Sequence, residues 1–147
     1  MKIQHLCGPL IAICLFGCST APEKPGADAI LAPCGALPNC VNSQSGKGGS
    51  AIAPLFATPE QWQAFKRWLA MQADWSISVE TADFVQAVVK TPLLRFRDDV
   101  QLLYNPDNGV IQVRSSSRLG ISDMGTNRSR VESLRARLAS EAAAGAL

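Results

Sequence analysis

The chain has 147 residues, with 14 Lys and Arg against 12 Asp and Glu, a net charge of +2 and 47% hydrophobic residues. This fits one small folded domain with an extension and excludes a multidomain protein. With 6% aromatic residues and no strong basic excess, the composition argues against a nucleic-acid-binding protein.

Lys2 precedes an apolar run from Leu6 to Phe16, too short to cross a bilayer as a helix and suited to the core of an export signal. The run ends in Leu15-Phe16-Gly17-Cys18, which resembles a bacterial lipobox, although Phe16 is bulkier than usual there. Residues 1–17 therefore read as a lipoprotein signal peptide and Cys18 as the lipidated residue; an uncleaved anchor and a fortuitous apolar start are the alternatives. Acyl chains contribute about 0.8 kcal/mol per buried CH2, so a lipid on Cys18 would anchor the chain without a transmembrane helix. That covalent lipid is the one group expected to be bound, with no other cofactor. By similarity to Gram-negative lipoproteins, Ser19 after the modified cysteine implies the periplasmic face of the outer membrane. The chain's one histidine, His5, falls in the signal. The mature chain then lacks Ser-His-Asp and Cys-His nucleophile systems, His-based zinc sites and a histidine pH switch.

Residues 18–53 are rich in Pro, Gly, Ala and Ser, most of all at Gln44-Ser45-Gly46-Lys47-Gly48-Gly49-Ser50, and read as a tether. Gly46-Lys47 lacks the upstream glycine and the following Ser or Thr of a phosphate loop. Cys34-Gly-Ala-Leu-Pro-Asn-Cys40 places two cysteines around a Pro-Asn turn in an oxidising compartment, so a Cys34–Cys40 disulfide is expected. Closing so short a loop is worth about 2 kcal/mol. Redox chemistry would need a C-x-x-C-like helix start, and two thiols without His make an incomplete metal site, so no metal is expected.

The globular domain is expected over residues 54–140. Thr58-Pro59-Glu60-Gln61 combines an N-cap, a proline in the first turn and a capping-box glutamine, opening a helix that runs to about Asp74. Trp62, Phe65 and Leu69 share its apolar face, with Trp68 beside them, and read as core rather than a stacking platform. Four period-two segments follow: Trp75 to Glu80, Phe84 to Thr91, Leu93 to Tyr104 and Val110 to Ser117. Turn residues separate the first pair at 81–83 and the last pair at Asn105-Pro106-Asp107-Asn108-Gly109. The segments form an antiparallel meander whose apolar face carries Ile77, Val79, Val85, Ala87, Val89, Phe96, Val100, Leu102, Ile111 and Val113. A second helix, Ser122 to Ser140, covers it through Met124, Asn127, Val131, Leu134 and Leu138. The fold class is α+β, a two-layer sandwich in the order α-β-β-β-β-α, with a frayed tail at 141–147.

Polar residues break this pattern in two places. Alternation along Leu94, Phe96, Asp98, Val100 and Leu102 puts Asp98 on the apolar face, where it needs a partner; Ser115 or Ser117 would lie opposite, and Asp99 would face Arg114 or a neighbour. A bulge at Asp98-Asp99 would change both assignments. Asn127 is likewise an inward residue on the second helix. Ser115, Ser116, Ser117, Arg118, Ser122, Asp123, Asn127 and Arg128 then gather at the strand-to-helix connection. One reading is structural, with Ser122 or Asp123 capping the helix and Arg118 pairing with a carboxylate. A second is a ligand-binding site for a polar or anionic group, formed by Asp98, Arg114, Arg118, Asp123, Asn127 and Arg128. A third is catalysis by Asp98 or Asp123, for which no partner is identified. Eight of the nine arginines lie from Arg95 onward, with acidic residues interspersed to pair with them.

Four blocks, Cys34 to Ser43, Arg95-Phe-Arg-Asp-Asp-Val100, Gly109-Val-Ile-Gln-Val-Arg-Ser-Ser-Ser-Arg118 and Ser122-Asp-Met-Gly-Thr-Asn-Arg-Ser-Arg-Val-Glu132, resemble in order and spacing a family known as domain of unknown function 1499. Ala36 and Gln101 depart from residues common there. The resemblance covers about residues 34–136; members of that family are often exported or membrane-attached bacterial proteins, with relatives in chloroplasts, and the resemblance implies no established activity. It marks the Cys34/Cys40 loop, Asp98-Asp99 and the Arg118 to Arg130 segment as signature positions. The leading functional expectation is a non-enzymatic envelope lipoprotein that binds an envelope protein or anionic ligand through the Arg114 to Arg130 region. The alternatives are a hydrolase using Asp98 and Asp123 and a structural spacer.

Overall fold

The computed structural model describes residues 30–144; the expected signal peptide, the expected lipidation site Cys18 and residues 145–147 lie outside the described residues. Two helices cover one face of a six-stranded antiparallel sheet, an α+β arrangement larger than the expected four-strand meander. The strands are β1 (Cys40–Asn42), β2 (Leu55–Phe56), β3 (Trp75–Glu80), β4 (Phe84–Lys90), β5 (Arg97–Asn105) and β6 (Val110–Ser117), and the helices are α1 (Pro59–Ala70) and α2 (Thr126–Ala144). Strands β3 to β6 are the four expected ones. The added strands β1 and β2 both pair with the outer edge of β6, through Cys40↔Ser116 to Asn42↔Arg114 and through Leu55↔Ile111 and Phe56↔Val110. Without them the eight residues of β6 would leave a row of unpaired backbone groups on the sheet edge.

This pairing corrects the expected boundary at residue 53. Residues 30–53 belong to the folded unit: Leu31, Val41 and Ile52 are buried, and the latter two join the core. Arginines of α2 strap the segment down. Arg128 donates to the carbonyls of Gly49 and Ala51 at 2.9 and 2.7 Å, and Arg135 donates to those of Pro54 and Ala53 at 2.6 and 2.8 Å. The expected disulfide is present between Cys34 and Cys40.

Helix α1 starts as its sequence dictates. Thr58 Oγ1 accepts from the Gln61 N–H at 3.2 Å, and Gln61 Oε1 accepts from the Thr58 N–H at 2.8 Å. The helix ends at Ala70, earlier than expected. Trp62, Phe65 and Leu69 are buried against the sheet, each worth roughly 1.5–3 kcal/mol of apolar transfer. Trp62 stacks on Tyr104 with ring centroids 5.3 Å apart and donates from Nε1 to the Ala82 carbonyl at 2.7 Å, pinning α1 to the β3–β4 turn. From α2, Val131, Leu134 and Leu138 complete the same core as expected.

Two expectations fail at the loop end of the sheet. Strand β5 begins at Arg97 rather than Leu93, so Phe96 is exposed instead of sharing the apolar face with Val100 and Leu102. Helix α2 begins at Thr126 rather than Ser122, so Met124 precedes the helix and points to solvent. At the other end α2 extends to Ala144, into the expected tail, where Glu141 pairs with Arg137 at 2.6 Å. The irregularity in the sheet lies between Ile77 and Val79; the β5–β6 register runs continuously through Asp98 and Asp99.

The β5–β6 hairpin closes through a Gly109 N–H to Asn105 carbonyl bond of 2.9 Å. Gly109 has φ +69°, and a Cβ there would stand 2.9 Å from the Ala57 carbonyl oxygen, to whose residue Gly109 is already bonded. Gly109→Ala should therefore lower unfolding free energy by about 1–3 kcal/mol in urea titration. An unchanged midpoint would contradict this reading of the turn.

Candidate functional site

The continuous register places Asp98 opposite Ser117 and Val100 opposite Ser115, all on the face covered by α2. Asp98 is 1% exposed. Its partner is a cation from α2 rather than the expected serine hydroxyls: Arg130 Nη2 donates to Asp98 Oδ2 at 2.5 Å. Through Nη1 the same guanidinium donates to Ser115 Oγ at 2.9 Å and to Asn127 Oδ1 at 2.7 Å. Ser115 Oγ donates to Asn127 Oδ1 at 2.6 Å. Four side chains from β5, β6 and α2 are thus joined in one buried polar knot.

Asn127 extends the knot. Fully buried, it presents its Nδ2 to the Asn39 carbonyl at 3.0 Å, to Ser117 Oγ at 2.9 Å and to Asp123 Oδ2 at 2.6 Å. Asn39 belongs to the disulfide-bonded loop, and its Nδ2 donates to the Gly120 carbonyl at 3.0 Å. The Ser117 N–H donates to the Asn39 carbonyl at 2.9 Å. The disulfide loop is therefore stitched to the β6–α2 connection and, through Asn127, to the helix.

Asp123 caps α2 from three residues before its first residue, Thr126. Its Oδ2 accepts from the Asn127 N–H at 2.9 Å, and its Oδ1 accepts from the Gly125 N–H at 3.0 Å. These are backbone donors that a helix start leaves without intrahelical partners. Burial alone would push the Asp123 carboxyl up; the backbone N–H bonds from Asn127 and Gly125 and the Asn127 amide outweigh it and hold the group below the ordinary aspartate value.

The other sequence-selected arginines lie elsewhere. Asp99 stands opposite Ser116 on the face away from the helices, and its partner is Arg118 rather than Arg114. Arg118 Nε and Nη2 grip the two carboxylate oxygens at 2.9 and 2.7 Å, a fork that raises the guanidinium's proton affinity. Arg114 is registered between Gln101 and Asn42; burial lowers its proton affinity and the Asp99 charge raises it in part. Arg128 holds the 49–51 segment, as described. Of the six expected ligand-binding residues, the fold brings Asp98, Asp123 and Asn127 together, places Arg114 and Arg118 across the sheet, and sets Arg128 on the strap.

Sequence reasoning places Arg130 only at the end of the Arg114 to Arg130 region, without its Asp98 partner, and does not select Asn39; their spacing to Asp98 and Asn127 exists only in the fold. It also missed a groove of about 410 Å³ beside the knot, between the β4–β5 loop (91–96) and the β6–α2 connection (118–125). Asp98, Ser117 and Asp123 contribute to its lining, and its rim is apolar: Leu93, Leu94, Phe96, Leu119 and Met124. Asp98 Oδ1 has no hydrogen-bond partner among the described residues.

The capping geometry sets a pH dependence. Folding lowers the Asp123 carboxyl below its ordinary value, so its contribution is complete above about pH 4 and is lost as pH falls through the lower folded value. Asp123→Ala should cost about 1 kcal/mol at neutral pH, and the difference from wild type should shrink on acidification below about pH 4. A difference that stays constant through that range would assign the loss to packing instead.

Residues 30–138 match the family described as Protein of unknown function (DUF1499). No curated protein and no solved structure matches the chain. The matched segment contains every strand and both the disulfide loop and the Asp98–Asn127–Arg130 knot, and the chain belongs to the DUF1499 family.

Proposed function

We propose that the chain is a non-enzymatic envelope domain, held on the periplasmic face of an outer membrane by a lipidated Cys18, that binds its partner or ligand at the loop end of the sheet. The observation that carries the binding reading is the contrast between two neighbouring sets of side chains. The polar residues first suspected of binding are committed inward: Asp98 to Arg130, Arg118 to Asp99, Asn127 to Asn39 and Ser117, Asp123 to the start of α2. Beside them, large apolar side chains stand in water, with Leu93 90% and Met124 97% exposed. Burying so much apolar surface elsewhere would be favourable, and soluble domains seldom leave it contiguous without a use.

The geometry favours this reading over hydrolysis by Asp98 and Asp123. A general acid or base needs a carboxyl poised near the working pH, whereas Asp123 is held below its ordinary value by the bonds that start α2. Asp98 is locked to a guanidinium inside the core. The Leu6 to Phe16 run and the Leu15-Phe16-Gly17-Cys18 sequence support export and lipidation. Among the described residues no helix is long and apolar enough to cross a membrane; the anchor in this proposal is the lipid on Cys18.

Two measurements on the full chain expressed in a Gram-negative bacterium test the proposal. Wild-type protein should sediment with membranes and carry the mass of an acylated mature chain, and Cys18→Ser should carry no acyl mass. The apolar dye anilinonaphthalene sulfonate should bind wild type, with fluorescence falling severalfold in Leu94→Ser, Leu119→Ser at unchanged melting temperature. A mature chain without acyl mass would refute the anchor, and dye binding indifferent to the double substitution would refute the binding face.

A further inference from the structure

The proposed binding face has features that identify its occupant. Its two loops carry exposed Leu93, Leu94 and Phe96 on one side and Leu119, Ile121 and Met124 on the other. Cations are interleaved with the apolar residues of the first loop, in the order Leu93-Leu94-Arg95-Phe96-Arg97. Arg95 and Arg97 are exposed, and neither enters an ion pair among the described residues. Of the acidic residues at this end of the fold, Asp98 and Asp99 are buried against Arg130 and Arg118, Asp123 is half-buried at the helix start, and Asp74 is exposed beside Lys90, whose register partner is Arg97. The face thus combines an apolar rim with two exposed arginines that no carboxylate pairs with among the described residues, beside the half-buried Asp123.

Both loops are held rather than loose. The Phe96 N–H donates to Thr91 Oγ1 at 2.9 Å, and the Arg95 N–H to the Thr91 carbonyl at 3.0 Å. Across the groove, the Met124 N–H donates to Ser122 Oγ at 3.3 Å. Among the described residues, the two non-glycine residues in the left-handed region are Arg95 and Met124, at φ 52° and 51°, one in each loop. Such a backbone costs roughly 1–3 kcal/mol for a non-glycine residue, and here it accompanies an arginine and an almost fully exposed methionine at the same face.

We infer that these loops form a second membrane contact: Leu93, Leu94, Phe96, Leu119, Ile121 and Met124 enter the interfacial region of an anionic phospholipid bilayer while Arg95 and Arg97 meet its phosphates. The inference rests on the proposed lipid anchor at Cys18. Residues 18–29 span at most about 40 Å when extended, comparable to the width of a domain whose radius of gyration is near 13 Å. The tether therefore keeps the domain within reach of the bilayer at all times. Which side faces the lipid is then decided by surface chemistry, and apolar residues flanked by arginines favour that interface over water.

The test uses the purified full-length lipoprotein, processed and lipidated in the cell, in vesicles of phosphatidylethanolamine and phosphatidylglycerol. With Cys34 and Cys40 in their disulfide and Cys18 acylated, Met124→Cys provides one labelling site for an environment-sensitive dye, and Asp107→Cys in the β5–β6 turn provides the reference. The label at position 124 should be quenched by doxyl lipids and protected from aqueous iodide, with the reverse at position 107. Each of Arg95→Glu and Arg97→Glu should weaken insertion at least about fivefold, with high salt acting in the same direction. Equal access of iodide to both labels on an acylated chain would overturn the loop contact while leaving the anchor intact. An intact mass lacking the acyl groups would instead overturn the anchor on which the inference stands.

Discussion

A carboxylate on the apolar face of a sheet must be met by a cation from the layer that covers it, and Asp98 imposes that requirement on everything packed at its end of the fold. Its neighbours along the face, Val100 and Leu102, are buried with it. Desolvating an unpaired carboxylate costs several kcal/mol, so Arg130 has to approach the sheet, and its approach fixes how α2 lies. With the helix in that position, Asn127 falls between β6 and the disulfide loop and saturates its amide there. The Cys34–Cys40 bridge then constrains the loop whose Asn39 receives that bond. A chain of dependence runs from one aspartate to the strand, the helix and the covalent loop.

The same arrangement shapes the surface beside it. Because β5 starts only at Arg97 and α2 only at Thr126, the segments 91–96 and 118–125 are free to leave the layers. The apolar residues they carry are consequently turned out rather than in. The polar cluster and the apolar rim are two sides of one construction: the first supplies a rigid end to the sandwich, and the second is what that rigid end presents. Two arginines of α2 outside the knot, Arg128 and Arg135, do a third job, binding carbonyls at 49–54 and holding β1 and β2 against the edge of β6.

Much of this was legible residue by residue. The Thr58-Pro59-Glu60-Gln61 start, the apolar faces of β3 to β6, the disulfide and the inward positions of Asp98 and Asn127 follow from local spacing and are present. The strands β1 and β2 were not, since three and two residues are too short to display a period and their stability comes entirely from the β6 edge. Leu93 to Phe96 and Met124 misled for the opposite reason: their spacing continues a strand and a helix that the backbone abandons. The identity of the Asp98 partner was hidden because it depends on how α2 is laid across the sheet, a long-range fact that hydroxyls at the opposite register positions obscured.

The most direct measurement is a double-mutant cycle on the central pair, using Asp98→Val, Arg130→Met and the combined variant in equilibrium unfolding. If the pair organises this end of the fold, Arg130→Met alone should lose about 3–5 kcal/mol by stranding the buried carboxylate, and the double variant should recover a large part of that loss. Single losses that simply add to within about 0.5 kcal/mol would contradict the account, and the weight of the architecture would have to lie elsewhere.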